Sequence, residues 1–290
     1  MANDITTYGL VGYPLGHSLS PLMHNAAFKA LKVDATYELF PLKETELAAF
    51  FKDLKSSDSP IFGLNVTVPY KEKVIPYLDT LNPYAKSVSA VNTIVIDEKR
   101  RLTGYNTDGP GFLAHLTELK VNPKDKRVAI LGAGGAARAV LSVLCMIPER
   151  ASVIKIYDIE EQRAESLVAD LKKNFNVEGV EVVQNIDDLN IELADILINA
   201  TPIGMKSTDV PLVTDDLLHA DLFVYDLIYN PAETVLLKMA REKGAKTANG
   251  LGMLFYQGVL AFQRWAEIEL SEEIKAKMRK ALEKGLTKKG

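Results

Sequence analysis

Short apolar runs alternate along this chain with longer segments in which apolar residues recur at helical spacing. The runs are YGLVG (8–12), YELF (37–40), FGLNV (62–66), RVAIL (127–131), IKIY (154–157), ADILINA (194–200) and LFVYDL (222–227). Amphipathic stretches lie between many of them, for example at 44–55, 160–173 and 232–243. Strands that alternate with helices are typical of parallel sheets covered by helices on both faces. The pattern therefore predicts an α/β fold.

Two breaks in the pattern divide the chain. The first falls at 106–126, where a helix entered at Asp108 is followed by the polar turn VNPKDKR. The second falls at 246–252, before a long helix expected over 253–269 with apolar residues on most faces. At this length one large domain or two medium ones are both reasonable, and these breaks are the candidate domain boundaries.

Composition and charge exclude several classes of protein. With 290 residues, 47% apolar and 25% charged, the chain has the composition of a folded globular protein and not of a disordered one. A net charge of −4 argues against a nucleic-acid partner, which requires clustered positive charge. The lysine-rich segment 271–284 fits a surface helix capped by Ser271, with its lysines at the end where the helix dipole favours cations.

The sequence also predicts neither a membrane span nor a metal site. Residues 128–147 carry one charge, Arg138, but three glycines near the middle indicate a strand, a turn and a buried helix. Four scattered histidines and one cysteine offer no cluster of metal ligands. The single thiol, Cys145, excludes an intrachain disulfide and fits a reducing compartment. The opening MANDITTYGL lacks the apolar centre of a secretory signal, so we expect a cytoplasmic chain.

A glycine-rich loop, GAGGAA at 132–137, lies between the predicted strand RVAIL and a predicted helix. Gly132, Gly134 and Ala137 fit the dinucleotide-binding fingerprint, in which a tight turn brings the pyrophosphate to a helix N-terminus. Asp158 follows the next predicted strand, where the fingerprint has an acidic residue that binds the adenosine ribose. The alternative reading of Asp158 is a cap for the helix at 160–173.

Four polar clusters in the first part of the chain are expected at one edge of a sheet. They are GYPLGHSLSP (12–21), NVTVPYK (65–71), AVNT (90–93) and GYNTDGPG (104–111). Each is predicted to follow an apolar strand, and open α/β sheets bind ligands outside the carboxyl ends of their strands. Each cluster also has a local interpretation. Ser20 and Asp108 are plausible helix caps, the latter for a helix at 109–119. Asn92 is a plausible turn residue, and Lys71 a solvated one.

Eight motifs in order identify a family resemblance. HSLSP, NVTVPYK, AVNT, GYNTDGPG, GAGGAA, NATPIGM, YNP and NGLGML span residues 12–257 and together resemble the shikimate dehydrogenase family. The resemblance implies reversible reduction of 3-dehydroshikimate to shikimate with a nicotinamide cofactor, in chorismate and aromatic amino-acid biosynthesis. It implies a substrate-binding domain at 1–107, completed by C-terminal helices at 251–290. It also implies a Rossmann-type NAD(P)-binding domain at 108–250 and an active site in the cleft between the two domains.

The resemblance also implies roles for individual residues. Lys71 and Asp108 are expected to be the catalytic pair. The residues expected to bind the substrate are Ser18, Ser20, Asn65, Thr67, Asn92, Tyr229 and Gln257. The residues expected to bind the cofactor are Gly132, Ala133, Gly134, Gly135, Ala136, Asp158, Arg163, Thr201, Leu227 and Gly250.

Asp158 departs from the pattern of the family. NADP-using members commonly carry a basic turn at this place, whereas Asp158 is followed here by Glu160 and Glu161, with Arg163 as the first base. NAD or NADP is therefore expected, with Asp158 favouring NAD. Two alternatives stay open at this point, an NAD-linked quinate/shikimate dehydrogenase and a catalytically silent sensor of a dinucleotide and a small acid. The expected partner is the small-molecule substrate, in a monomer or homodimer.

Overall fold

The structure, a computed structural model, describes residues 5–148 and 150–287. The first four residues of the opening segment, and residues 288–290 of the predicted C-terminal helices, lie outside the described residues. The chain divides into two compact units. The first takes in the chain up to Gly111 together with the segment that starts at Phe255, and the second is Phe112–Leu254. The boundaries expected from the sequence fall a few residues before these.

The elements of the first unit come from both stretches of chain. They are β1 (Thr6–Gly12), α1 (Ser20–Leu31), β2 (Ala35–Pro41), α2 (Leu47–Asp53), β3 (Ile61–Val66), β4 (Thr80–Leu81), α3 (Pro83–Val88), β5 (Thr93–Ile96) and β6 (Leu102–Tyr105). Helix α4 (Asp108–Glu118) carries the chain into the second unit. Helix α8 (Leu251–Ala266) carries it back, and α9 (Glu272–Thr287) follows, with the Ser271 hydroxyl accepting a bond from the Ile274 N–H at 3.4 Å.

The first sheet has the order β2-β1-β3-β5-β6-β4 and is mixed. The sequence pattern predicts parallel sheets, and this is wrong here. Strand β5 runs antiparallel to both β3 and β6, because a turn of five residues joins β5 directly to β6 and cannot hold a crossover helix. The prediction that each polar cluster follows a strand is therefore wrong for AVNT, which leads into β5 and ends on its first residue, Thr93.

The reversal of β5 brings all four polar clusters to the same edge of the sheet. Strands β1, β3 and β6 end at this edge, and β5 begins there. AVNT thus reaches the expected edge from the opposite chain direction. Helix α8 covers this sheet, and Trp265 donates a hydrogen bond to the Ile94 carbonyl at 2.9 Å. Its ring fills the space where a side chain on Gly63 would lie.

The second sheet is parallel throughout. Its strands are β7 (Arg127–Leu131), β8 (Val153–Tyr157), β9 (Val180–Val182), β10 (Ile196–Asn199), β11 (Phe223–Asp226) and β12 (Lys246–Ala248). Its helices are α5 (Gly135–Met146), α6 (Glu161–Lys172) and α7 (Val235–Glu242). The order β12-β11-β10-β7-β8-β9 is that of a doubly wound sheet, whose ligands bind where the order reverses, between β7 and β10. The α/β fold class predicted from the sequence is confirmed. Among the described residues, no helix is long and apolar enough to cross a membrane.

His24 is fully buried in the aromatic core of the first unit. Its ring stacks on Tyr37 with centroids 4.4 Å apart and lies 5.1 Å from the ring of Trp265. Within the described residues neither ring nitrogen makes a geometrically sound hydrogen bond. Burial lowers the pKa of His24 to about 3, against a smaller opposing effect of the Asn65 side chain. The folded chain therefore holds this histidine neutral.

Acid should destabilise the first unit through His24. The folded-state pKa lies below the ordinary 6.5, so the unfolded chain takes up the proton first and stability falls as the pH drops below 6.5. Between pH 7 and pH 5 the loss from this one group should be about 2 kcal/mol. His24→Phe should remove that part of the loss. Urea unfolding followed by the fluorescence of Trp265, the single tryptophan, measures it at both pH values. His17→Phe serves as the control, because His17 is exposed. If His24→Phe and His17→Phe lost the same free energy of unfolding between pH 7 and pH 5, the prediction would be contradicted.

Candidate active site

A buried ion pair lies at the edge of the first sheet where the polar clusters meet. The Lys71 ammonium donates to Asp108 Oδ2 at 2.7 Å, and the side chains of Lys71 and Asp108 are 14% and 7% exposed. Lys71 follows β3 and Asp108 opens α4 just after β6, so adjacent strand ends bring them together. A nearly buried charge pair that retains some solvent access is suited to moving a proton to or from a ligand.

Asn92 links this pair to its surroundings. Its amide nitrogen lies 2.8 Å from Asp108 Oδ1, 2.9 Å from Thr107 Oγ1 and 3.3 Å from Gln257 Oε1. Its side-chain oxygen Oδ1 accepts from the Thr107 N–H at 2.7 Å. Gln257 can approach the backbone at Gly111 because glycine has no side chain. A Cβ at Gly111 would lie only 2.7 Å from the Gln257 backbone nitrogen. Asn92, Gln257 and Asp108 are thus brought together as the sequence predicts, and Asn92 is far more than a turn residue.

Asn106 starts the helix that carries Asp108. The Asn106 side-chain oxygen Oδ1 accepts from the N–H groups of Asp108 and Gly109, at 3.0 and 3.4 Å. The interpretation of Asp108 as the helix cap is therefore wrong, and its carboxylate is left for Lys71 and Asn92. Asn106 was not among the residues predicted from the sequence, although an asparagine two residues before a helix start is a capping signal.

A second polar group joins Asn65 to the start of α1. Asn65 is buried, donates to the Asn92 carbonyl at 3.1 Å and accepts from the Tyr37 hydroxyl at 2.8 Å. Burial raises the pKa of Tyr37 well above its usual range, and a hydrogen bond with Ser20 opposes part of that rise. Tyr37 therefore stays a neutral donor between Ser20 and Asn65. Tyr37 was predicted to lie in a strand, but its contact with Asn65 was not predicted, because the two residues are far apart in the chain.

The two serines occupy different positions at the helix start. Ser20 is buried and is the first residue of α1, so its interpretation as the N-cap is wrong. Ser18 is half-buried, and its hydroxyl accepts from the Ser20 N–H at 3.2 Å. Thr67, also half-buried, lies just after β3, where its N–H bonds to the Val11 carbonyl. Ser18, Ser20, Asn65 and Thr67 therefore lie at the same sheet edge as Lys71.

In the second unit the glycine loop has the geometry of a phosphate cradle. Gly132 has φ +94°, and a Cβ on it would lie 2.9 Å from Thr201 Cγ2. A Cβ on Gly134 would meet only Arg163 Nη2, at 3.8 Å, so the space beside the loop is open. In the described chain α5 has no side-chain cap at its start, which leaves the N–H groups at Gly135 and Ala136 for a ligand. The residues present therefore fit a pyrophosphate.

Asp158 is tied to this loop. Its Oδ2 accepts from the Ala133 N–H at 2.7 Å, and its Oδ1 accepts from the Glu160 N–H at 2.9 Å. Helix α6 begins at Glu161 with Glu160 as its N-cap residue, so the interpretation of Asp158 as the cap is wrong. Arg163 lies half exposed, with Nη1 3.7 Å from the Glu160 carboxylate. Asp158 and Arg163 are thus both next to the glycine loop.

Four further predicted residues lie at the same edge of the second sheet. The Thr201 N–H and hydroxyl donate to Asn199 Oδ1 at 3.1 and 2.7 Å. Gly250 packs on the Leu227 carbonyl so closely that a Cβ would lie 2.0 Å from the oxygen. Tyr229 lies on the loop after β11 and so belongs to this unit, not to the unit that holds Lys71. Asn199, Asp226 and Thr234, whose side chains join these loops, were not predicted from the sequence.

Comparison with known proteins gives consistent relatives. Residues 10–94 match a family model described as the shikimate dehydrogenase substrate binding domain. The shikimate dehydrogenase (NADP(+)) of Carboxydothermus hydrogenoformans is 44% identical over 90% of this chain and 91% of its own.

Solved structures also match over nearly the whole chain. The shikimate 5-dehydrogenase of Listeria monocytogenes, in complex with shikimate and NAD, is 34% identical, with a TM-score of 0.83 over 95% of this chain and 97% of its own. The quinate dehydrogenase of Corynebacterium glutamicum, in complex with NAD, is 32% identical, with a TM-score of 0.87 over 97% of this chain and 100% of its own.

Proposed function

This chain belongs to the shikimate dehydrogenase family, and from that premise we propose that it reversibly reduces 3-dehydroshikimate to shikimate with a nicotinamide dinucleotide. The observation that carries the proposal is the buried Lys71–Asp108 pair among hydroxyl and amide groups. The first unit binds the substrate and the second binds the dinucleotide, which its glycine loop fits.

Lys71 supplies and receives the proton of the reaction. In the reduction direction its ammonium N–H, held by Asp108 at 2.7 Å, donates a proton to the oxygen of the substrate ketone. When bound, the reduced nicotinamide supplies the hydride that the carbonyl carbon accepts. In the oxidation direction the Lys71–Asp108 pair takes the hydroxyl proton back. Asn92 fixes the orientation of Asp108 through Oδ1.

Neutral donors hold the rest of the substrate. The four clusters contain no arginine, so the carboxylate is met by Ser18 and Ser20 at the start of α1, where the helix dipole favours an anion. Asn65, Thr67, Asn92 and Gln257 receive the ring hydroxyls.

Removal of a serine hydroxyl should weaken substrate binding. Ser18→Ala and Ser20→Ala should each cost about 1–3 kcal/mol, mainly as a higher KM for shikimate, because the carboxylate does not change in the reaction. Steady-state kinetics measure this, with the exposed Ser57→Ala as the matched control. A structure of the substrate complex in which the carboxylate binds a basic side chain, away from both serines, would contradict the assignment.

The chain prefers NAD to NADP. Asp158 is held in place by the Ala133 and Glu160 N–H groups, and Glu160 and Glu161 extend the negative charge. The 2′-phosphate of NADP would meet these carboxylates, whereas the ribose hydroxyls of NAD donate to one. Arg163 is the first base after Asp158 along the chain, but its Nη1 is 3.7 Å from the Glu160 carboxylate, which competes for it. Relatives of this chain include a protein named for NADP and structures that hold either NADP or NAD, so both dinucleotides occur among them.

The expected preference is at least ~10-fold in kcat/KM, or about 1.4 kcal/mol. Asp158→Asn with Ile159→Arg should shift it toward NADP, because asparagine keeps an acceptor for Ala133 and residue 159 is 87% exposed. Asp158→Asn with Ile159→Gln is the control that separates lost negative charge from added positive charge. Equal or better efficiency of the unmodified chain with NADP would show that Arg163 dominates.

One experiment tests the function as a whole. Steady-state rates are measured for shikimate and quinate, each with NAD and with NADP. Turnover of shikimate supports the proposal, and faster turnover of quinate would favour the quinate/shikimate alternative, as the Corynebacterium relative suggests. No turnover of either acid, with dinucleotide binding intact, would favour the silent sensor.

A further inference from the structure

Asp226 is a fully buried carboxylate that the proposed proton transfer does not use. It ends β11 at the carboxyl edge of the second sheet. Its Oδ1 accepts from the Asn199 amide and the Ile228 N–H, both at 3.0 Å, and its Oδ2 accepts from the Thr234 hydroxyl at 2.6 Å. A buried carboxylate is costly unless its oxygens are hydrogen bonded, so these three donors account for how it is tolerated.

Through Asn199, Asp226 fixes the loop after β10. The Asn199 amide nitrogen donates both to Asp226 and to the Ile203 carbonyl, at 3.1 Å, while its oxygen accepts from Thr201. Thr201 in turn is the side chain that a Cβ on Gly132 would meet. The amide therefore joins the strand end to the loop that faces the glycine turn.

Through two other donors, Asp226 fixes the loop after β11. Ile228 lies near the start of this loop and Thr234 near its end, so one carboxylate holds both. The Ile228 carbonyl accepts from the Gly250 N–H at 3.0 Å, and the Leu227 carbonyl packs on Gly250. Thr201, Leu227 and Gly250 thus all lie in segments tied to Asp226.

We propose that Asp226 is a positioning residue for the nicotinamide end of the cofactor, because it fixes loops 199–203 and 227–234 in position relative to each other. This rests on the proposed function, which brings the dinucleotide to this edge. Burial raises the pKa of Asp226, and hydrogen bonds from Thr234, Ile228 and Asn199 oppose that rise. All three partners donate, which suits the ionised carboxylate.

The adenosine half provides an internal comparison. The glycine loop and Asp158 are proposed to hold the adenosine and pyrophosphate. Within the described residues, the hydrogen bonds of Asp226 go to Asn199, Ile228 and Thr234 and not to the glycine loop. Loss of Asp226 should therefore weaken NAD+ binding and leave ADP binding nearly unchanged.

The test measures the dissociation constants of NAD+ and ADP by calorimetry for the full chain and Asp226→Ala. The Kd for NAD+ should rise on the order of 10-fold, and the Kd for ADP should stay within about twofold. Asp195→Ala is the matched control, because Asp195 immediately precedes β10 at the opposite end of that strand and pairs with Lys126 at 3.0 Å. A merely structural role would lower the melting temperature and leave the ratio of the two constants unchanged.

Thr234→Val keeps the test decisive if Asp226→Ala does not fold. This variant removes the hydroxyl that donates to Asp226 Oδ2. A rise in the Kd for NAD+ that is smaller than the rise predicted for Asp226→Ala, with an unchanged Kd for ADP, supports the proposal. If the ratio of the Kd for NAD+ to the Kd for ADP equals that of the unmodified chain, the proposal is overturned. An unmodified chain that binds neither NAD+ nor NADP+ would instead overturn the proposed function, and the two failures are thereby distinguished.

Discussion

Lys71→Ala should lower kcat by on the order of 10²–10⁴ and change KM for shikimate much less. The reason is that Lys71 Nζ is the group placed to exchange the proton, whereas the hydroxyl and amide groups that bind the acid remain. Lys71 is only 14% exposed and its partner Asp108 is 7% exposed, so water cannot readily replace the amine. Steady-state kinetics in both directions measure the effect.

Lys73→Ala is the matched control for this variant. Lys73 lies two residues further on, is 46% exposed and pairs with Glu44 at the surface. Its removal should leave kcat unchanged, because an exposed pair contributes little to stability and nothing to the proton path. If Lys71→Ala retained most of its kcat, Lys71 would be structural and the proposed mechanism wrong.

Asp108→Ala should reduce kcat by a similar factor, and the two losses should be far from additive. Asp108 joins Lys71 through Oδ2 and Asn92 through Oδ1, so the three side chains form one unit. Removal of either partner leaves the other charge nearly buried and unpaired, which should also cost about 3–5 kcal/mol of folding stability. The double variant should be more stable than either single one for the same reason.

Kinetics and thermal unfolding of the two single variants and the double variant complete this cycle. Asp97→Asn is the control, because Asp97 also pairs with a base, Arg101, but at the exposed turn between β5 and β6. Independent losses in kcat, multiplying in the double variant, would show that Lys71 and Asp108 do not act as a unit.

Features encoded within one short stretch of sequence were predictable. The second sheet is an example, because β7, the loop at Gly132 and α5 follow one another directly and each has its own pattern. The apolar strands and the glycine turn at φ +94° need no knowledge of distant residues. The α/β class and the strand–turn–helix order therefore follow from local physics.

Features that depend on distant partners were not predictable in the same way. The direction of β5 is one such feature. Its apolar run has the same pattern in either direction, and only pairing with β3 and β6 determines that it runs antiparallel to them. The bond from Tyr37 to Asn65 is another, since it joins positions far apart in sequence. Asp226 ends an apolar run, and a carboxylate at that place was a usable signal, but its partner Asn199 comes from another strand.

The discontinuous make-up of the first unit has a consequence for biosynthesis. The second unit is one continuous stretch, Phe112–Leu254, and is complete on the ribosome before Trp265 and Gln257 have emerged. At 5–20 residues per second the sheet that Trp265 covers must wait roughly 10–30 s for its cover. A chain released early would carry a finished second unit beside an uncovered apolar sheet, and would be a target for chaperones and proteases. Translation order thus makes the polar cluster around Asn92, which Gln257 completes, one of the late features that the new chain acquires.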